Sequence, residues 1–132
     1  MKEPVLIDTS SWIEALRFDG DEGVRSRVAA ALGEGRARLV HIVLLELWNG
    51  ARGAREQREL AHVAEAVPVL PATDEVWAEA VRLAVSCRRA GVTAPATDLL
   101  VYACAQVHGV NLEYSDRHFD DIRGVGGGLG AG

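Results

Sequence analysis

Short apolar segments alternate with segments of helical periodicity along the whole chain, and this alternation limits the folds that it can adopt. The first apolar segment is Val5-Leu6-Ile7, and its large side chains, two of them β-branched, are typical of a strand buried on both faces. Similar segments recur at 38–41, 67–70 and 110–114, with helical patterns between them. Alternating strands and helices predict an α/β domain with a mostly parallel sheet of four to five strands.

The length of 132 residues fits a single domain that can bury its own core. We expect one domain over residues 1–123. The glycine-rich end, 124–132, is predicted to be a frayed tail or a weak edge strand around Val125 and Leu129, and the tail is favoured because glycine loses the most entropy on ordering. No apolar run approaches the roughly 20 residues that cross a bilayer, and no secretion signal is visible, so we expect a cytoplasmic protein.

The formal net charge of −5 argues against binding nucleic acid by bulk attraction, unless several acids are clustered to hold cations. The only two cysteines, Cys87 and Cys104, lie in predicted helices without further cysteines or suitably spaced histidines. They are predicted to be free buried thiols rather than a zinc site.

Four acids occupy positions at which an α/β sheet collects functional side chains. Asp8 and Asp116 each follow a predicted strand, Asp98 lies in the first turn of a helix for which Thr97 is a plausible cap, and Glu46 sits within an apolar helix. Taken alone, Asp8 is better interpreted as a turn residue or helix cap. The other three acids favour a functional role for Asp8, because strand ends and the helix starts that follow them meet at one edge of the sheet.

Several carboxylates brought together repel one another, and each has its pKa raised unless a cation is present. Mg²⁺ and Mn²⁺ prefer oxygen ligands and relieve that repulsion. Such ions activate water and stabilise the leaving oxygen in a phosphoryl displacement. The four acids therefore indicate metal-assisted hydrolysis of a phosphodiester.

Four segments carry a family resemblance: Val-Leu-Ile-Asp8-Thr-Ser-Ser-Trp-Ile, Glu46-Leu-Trp-Asn-Gly-Ala, Ala-Thr-Asp98-Leu-Leu and Ser-Asp116-Arg-His-Phe-Asp-Asp-Ile. In order and spacing they resemble the acidic motifs of the PIN-domain ribonucleases, most of all the VapC toxins of toxin–antitoxin pairs. The resemblance implies a three-layer α/β/α sandwich and an endoribonuclease that uses Mg²⁺ or Mn²⁺. It also implies a homodimer and a small VapB-like antitoxin, which lays a helix across an apolar surface such as that of the first helices.

Carried over residue by residue, the resemblance implies that Asp8, Glu46, Asp98 and Asp116 are catalytic metal ligands, directly or through water. Further site residues implied in the same way are the hydroxyls of Thr9 and Ser115, which would orient carboxylates or bind the substrate phosphate, and Asp120 as an outer ligand. His118 stands where many relatives have an acid, and a surface residue is an equally good interpretation of it.

Two other functions compete with this prediction. A catalytically inactive PIN-like module that binds RNA or protein would have the same fold, and sequence does not prove turnover. A receiver domain also gathers acids at strand ends, but it requires two adjacent acids after the first strand and a lysine late in the chain. Here Asp8 is followed by Thr9, and Lys2 is the only lysine.

Two sets of large side chains have a structural and a functional interpretation. The three tryptophans fall on apolar helical faces, where packing is the default and base stacking the alternative. Three arginines at helical spacing either form a solvated face or follow an RNA backbone. The residues are Trp12, Trp48 and Trp77, and Arg52, Arg55 and Arg58.

Overall fold

A computed structural model describes residues 3–126 and contains a parallel sheet surrounded by helices. Its strands are β1 (Val5–Ile7), β2 (Ala37–Arg38) and β3 (Asn111–Glu113), in the order β2-β1-β3, and both pairings are parallel. Leu6 and Ile7 are fully buried. The most apolar of the predicted strands therefore occupies the centre of the sheet, where both of its faces are covered.

The described residues form helices between these strands and after the last of them. They are α1 (Thr9–Leu16), α2 (Glu22–Gly33), α3 (His41–Gly50), α4 (Gly53–Ala66), α5 (Asp74–Arg89), α6 (Ala96–His108) and α7 (His118–Gly126). Helix α1 packs against α2 and α3, whereas α5, α6 and α7 pack against one another, and α6 also contacts β3. Every residue from 99 to 105 in α6 is buried, so this helix is enclosed by the rest of the domain. The predicted α/β fold with a parallel sheet is confirmed.

The sheet is smaller than predicted. The expected strand at 67–70 is reduced to a single bridge between Leu39 and Val69, because Pro68 and Pro71 have no N–H groups with which to extend a ladder. The strand expected at 38–41 ends at Arg38, since His41 already begins α3. Residues 3–126 thus contain three strands instead of four to five.

Side chains cap several of the helix starts. Asp21 and Thr73 cap α2 and α5 through the backbone N–H groups of Val24 and Val76. Asp8 caps α1, one of the two structural interpretations of this residue. Pro95, not Thr97, precedes α6, whose first turn does contain Asp98 as predicted.

The C-terminal helix α7 extends through Gly126, so Val125 is helical and not part of an edge strand. The remainder of the predicted tail, 127–132, lies outside the described residues. Cys87 and Cys104 are buried free thiols, as predicted. Within residues 3–126 no helix is both long and apolar enough to span a membrane.

The tryptophans differ in burial. Trp12 is fully buried, but Trp48 and Trp77 are 40% and 53% exposed. The prediction that all three pack in the interior is therefore wrong for two of them, because helical spacing identifies a face without identifying what covers it.

Candidate active site

The site is built where the central strand ends. The backbone N–H of Asp8 donates to the carbonyl oxygen of Glu113 at 2.9 Å, which continues the β1–β3 pairing by one residue. The Asp8 side chain then caps α1 by accepting from the N–H of Ser10 at 3.1 Å, and the residue is only 4% exposed. Asp8 is thus a helix cap and also a buried acid at the carboxyl edge of the sheet.

The acids at this edge interact electrostatically in pairs, Glu46 with Asp8, Asp8 with Asp98, and Asp98 with Asp116. Burial raises the pKa of Asp8, hydrogen bonds from Ser10 and Thr9 oppose that change, and the nearby Glu46 carboxylate adds to it. Burial, followed by repulsion from Asp8, raises the pKa of Asp98 to about 6, and Asp116 contributes further repulsion. The fold therefore brings together all four acids that the sequence singled out.

The donor atoms fit a divalent cation. One ligand atom each from Asp98, Asp116 and His118 lies within 4.8 Å of the others. The carboxylates supply hard oxygen donors, and burial with repulsion from Asp8 and Asp116 raises the pKa of Asp98 although His118 opposes the change. A cation at this edge would compensate the negative charge of these carboxylates.

Ser10 has a structural role that the sequence did not reveal. Its Oγ donates to Asp8 Oδ2 at 2.8 Å and accepts from the backbone N–H groups of Ser115 at 3.0 Å and Asp116 at 3.2 Å. One hydroxyl therefore fixes the Asp8 carboxylate and connects the ends of β1 and β3. No sequence signal predicts this contact, because its partners lie 105 and 106 residues away.

The other predicted hydroxyls and the outer acid have different surroundings. Thr9 Oγ1 donates to Glu46 Oε1 at 2.8 Å, the contact that an orienting role requires. Ser115 Oγ lies 3.0 Å from Ser11 Oγ, and none of its described hydrogen bonds reaches one of the four acids. Asp120 is exposed, and its Oδ1 accepts from the Tyr114 hydroxyl at 2.6 Å.

His118 lies within the acid cluster. Its Nδ1 is 3.0 Å from Asp98 Oδ2 and 3.0 Å from Asp116 Oδ1. Its backbone N–H also donates to Asp116 Oδ1, at 2.9 Å. The sequence left this residue open as a surface histidine, although its place two residues after Asp116, at a helix start, is a signal that could have identified it.

A groove begins beside the acids. It has a volume of about 520 Å³, is bordered by α1, α3 and α4, and has Glu46 in its wall. Its apolar lining includes Ile13, Leu16, Leu47 and Leu60, with Ile13 43% exposed. The groove thus places an apolar surface next to Glu46, with the charged side chains of Arg17, Arg52 and Glu56 also in its wall.

Comparison with known proteins agrees with this geometry. The profile of the PIN domain family matches residues 5–125. The chain is 30% identical over 122 residues to a VapC ribonuclease of Mycobacterium bovis and to ribonuclease VapC11 of Mycobacterium tuberculosis, covering 89% of this chain and 90% of each relative.

Solved structures share the fold. The DNA-bound VapBC of Salmonella typhimurium superimposes with a TM-score of 0.72 at 20% identity, covering 94% of this chain and 96% of that one. VapBC-5 of Mycobacterium tuberculosis superimposes with a TM-score of 0.68 at 22% identity, covering 93% of each chain. From its sequence, its fold and the acids at its sheet edge, the chain belongs to the PIN-domain family and is a relative of the VapC ribonucleases.

Proposed function

We propose that this protein is a divalent-metal-dependent endoribonuclease that hydrolyses RNA phosphodiester bonds and acts as the toxin of a toxin–antitoxin pair. The observation that carries this proposal is the convergence of Asp8, Glu46, Asp98 and Asp116 at one edge of the sheet. The ribonuclease activity of the VapC relatives supports the reaction class.

Asp8, Asp98 and Asp116 would hold Mg²⁺ or Mn²⁺, and Glu46 would contribute directly or through water. The bound ion would act as a Lewis acid that activates water and neutralises charge on the phosphate. Ser10 keeps the Asp8 carboxylate in place, and Thr9 does the same for Glu46. A carboxylate of the cluster would accept the proton of the attacking water as the new P–O bond forms. The ester P–O bond breaks, its electron pair stays on the departing oxygen, and that oxygen takes up a proton from solvent.

Two residues at the rim are also part of the proposal. Ser115 is exposed beside Asp116 and offers a hydroxyl to the substrate phosphate. Asp120 would act as an outer ligand through the oxygen that Tyr114 does not occupy.

The test uses Asp8→Asn, because asparagine caps helices as well as aspartate and keeps α1 intact. RNA of defined structure is incubated with the wild type and the variant, with Mg²⁺, with Mn²⁺ and with neither. We expect metal-dependent cleavage by the wild type and at least about a hundredfold slower cleavage by the variant. Asp19→Asn, which changes an acid exposed in the loop after α1, is the matched control and should cleave normally.

Two outcomes count against the proposal. Equal cleavage by Asp8→Asn would remove Asp8 from the site. If the wild type cleaves no RNA with either metal, the protein is better described as a PIN-like binding module.

The groove beside Glu46 supports the antitoxin as partner. Its apolar lining suits the apolar face of a helix, and Glu46 offers a charge partner for a basic side chain from that helix. We expect Ile13→Glu to leave RNA cleavage unchanged while the small protein encoded by the adjacent reading frame no longer inhibits it. Inhibition that survives this substitution would place the antitoxin elsewhere.

The homodimer is also part of the proposal. Trp77, Val81 and Val85 repeat at every fourth position of α5 and are 53%, 63% and 46% exposed. A second copy of the chain would cover this apolar stripe. Light scattering of the purified protein measures its molar mass and thus shows whether it is a dimer.

A further inference from the structure

We propose that His118 is itself a metal ligand, which makes the site a mixed nitrogen and oxygen site that selects Mn²⁺ over Mg²⁺. The inference rests on the proposed function, because it concerns the ion that the same acids hold. It assigns a role to a residue at which this chain departs from the acidic motif that it otherwise resembles.

The His118 ring nitrogen lies at ligand spacing from two carboxylates. Nδ1 of His118 is 3.0 Å from one oxygen of Asp98 and 3.0 Å from one oxygen of Asp116. Adjacent ligands of an octahedral ion with metal–ligand distances of about 2.1 Å lie about 3 Å apart. Nδ1 is thus spaced from each oxygen as a neighbouring ligand would be, and one ligand atom of each of the three residues lies within 4.8 Å of the others.

The His118 ring has fewer hydrogens than carboxylate neighbours at Nδ1. Nδ1 of a histidine carries at most one hydrogen, and two carboxylate oxygens lie at the same distance from it. The ring forms a hydrogen bond with Asp98 Oδ2, and the same hydrogen cannot also serve Asp116 Oδ1. A cation between the three atoms interacts with all of them at once.

His118 is held in place by the main chain and is open to solvent. It is the first residue of α7, and its backbone N–H donates to Asp116 Oδ1 at 2.9 Å, so the main chain holds the ring beside that carboxylate. The side chains of His118, Asp116 and Asp98 are 47%, 37% and 14% exposed. An ion can therefore reach the ring and Asp116 from solvent, whereas Asp98 is mostly covered.

The choice of metal follows from ligand chemistry. Mg²⁺ prefers oxygen ligands and keeps much of its water, whereas imidazole nitrogen suits transition metals. A site with two carboxylates and one imidazole should therefore favour Mn²⁺, the transition metal expected here, over Mg²⁺. An aspartate at position 118 would restore an all-oxygen site and weaken that preference.

The experiment measures binding and coordination on the metal-free full chain, without RNA. Mn²⁺ is added, its affinity and its competition with Mg²⁺ are measured, and pulsed electron paramagnetic resonance detects nitrogen coupled to the bound ion. The variants are His118→Asp and, as control, His62→Gln on the exposed face of α4. An acid in the first turn of α7 is favourable, so His118→Asp should fold.

We expect histidine nitrogen coupling in the wild type and in His62→Gln, and its loss in His118→Asp. The preference for Mn²⁺ over Mg²⁺ should fall on the order of tenfold in His118→Asp. Bound Mn²⁺ without nitrogen coupling, or coupling that persists in His118→Asp, would overturn the role of His118 and leave the proposed function standing. A wild type that binds no Mn²⁺ at all would overturn both.

Discussion

Ser10 is the residue on which the geometry of the acids most depends. Its hydroxyl donates a hydrogen bond to one oxygen of Asp8 and accepts hydrogen bonds from the backbone N–H groups of Ser115 and Asp116. It therefore sets the position of two strand ends relative to each other. Side chains that orient metal ligands typically change metal affinity by about 10- to 100-fold when removed. We infer that Ser10 is a positioning residue for the metal site.

Ser10→Ala should therefore weaken Mn²⁺ binding by roughly tenfold and slow RNA cleavage at subsaturating metal, with partial recovery at high metal concentration. Titration of the metal-free protein with Mn²⁺ measures the first effect. The matched control is Ser11→Ala, which removes a buried hydroxyl that contacts Glu113 and Ser115 but none of the four acids. Equal losses in the two variants would show that Ser10 serves the fold and not the site.

Asp98 makes the stability of the metal-free protein depend on pH. Its pKa rises from 3.8 to about 6 on folding, mainly through burial and repulsion by Asp8. An acid with a raised pKa binds protons more readily in the folded state, so this residue lowers the free energy of unfolding as the pH rises through that interval. This destabilisation largely disappears near pH 4, because Asp98 is then mostly protonated in the folded protein.

Asp98→Asn should for this reason be more stable than the metal-free wild type at pH 7.5, by about 1–2 kcal/mol. The difference should shrink toward zero as the pH is lowered to 4. Urea unfolding in the presence of a chelator, at both pH values, measures it. A wild type that is the more stable protein at pH 7.5 would contradict the repulsion inferred among the acids.

At the scale of elements, the turn between α1 and α2 is closed by tight backbone contacts. Glu14 Oε1 accepts from the backbone N–H of Asp21 at 2.9 Å, which fixes the start of α2 against α1. A Cβ added to Gly20 would lie 1.7 Å from the carbonyl oxygen of Glu14. Only glycine permits this approach without a shift of the backbone.

Gly20→Ala should thus destabilise the protein by about 2–3 kcal/mol, because the turn must move away from α1. Gly33→Ala is the control, since a Cβ at that helical position would meet nothing within 4 Å. The control should change stability by less than about 1 kcal/mol, in the stabilising direction. Denaturant unfolding compares the two, and equal stabilities would mean that the turn adapts freely.

The elements that could be predicted are those whose own residues specify them. The apolar run of β1 and the helix start before Asp98 were identified because strand burial and helix starts follow local patterns. A strand at 67–70 was predicted from its hydrophobicity, but hydrophobicity does not show that two prolines limit the pairing of this segment to one bridge. The exposure of Trp77 depends on which neighbours pack against α5, and sequence periodicity does not contain that information.

The same limit applies to the site. The four acids were predictable because each follows a strand or lies in a helix that the alternating pattern places at one sheet edge. Ser10 was not, because its role arises from contacts with residues 105 and 106 positions away. The contact of His118 with Asp98 also comes from the tertiary fold, although its contact with Asp116 is local. The ligand types of a metal site are thus more visible in sequence than the groups that orient them.

At the scale of the whole molecule, the fold brings acids from four segments to one side of the central strand. Asp8 follows β1 directly, Asp116 comes after the parallel neighbour β3, Asp98 begins the buried helix α6, and Glu46 is carried by α3. The mutual repulsion of these acids opposes folding, and a bound cation would offset it. The central claim is therefore that a divalent ion binds among these carboxylates.

Anomalous diffraction from a crystal of the protein soaked in Mn²⁺ tests that claim most directly, because it locates the ion without assuming any activity. We expect an anomalous peak within bonding distance of carboxylate oxygens of Asp8, Asp98 and Asp116, and no peak there in an Asp98→Asn crystal treated in the same way. Mn²⁺ found elsewhere, in contact with none of the three acids, would contradict the account.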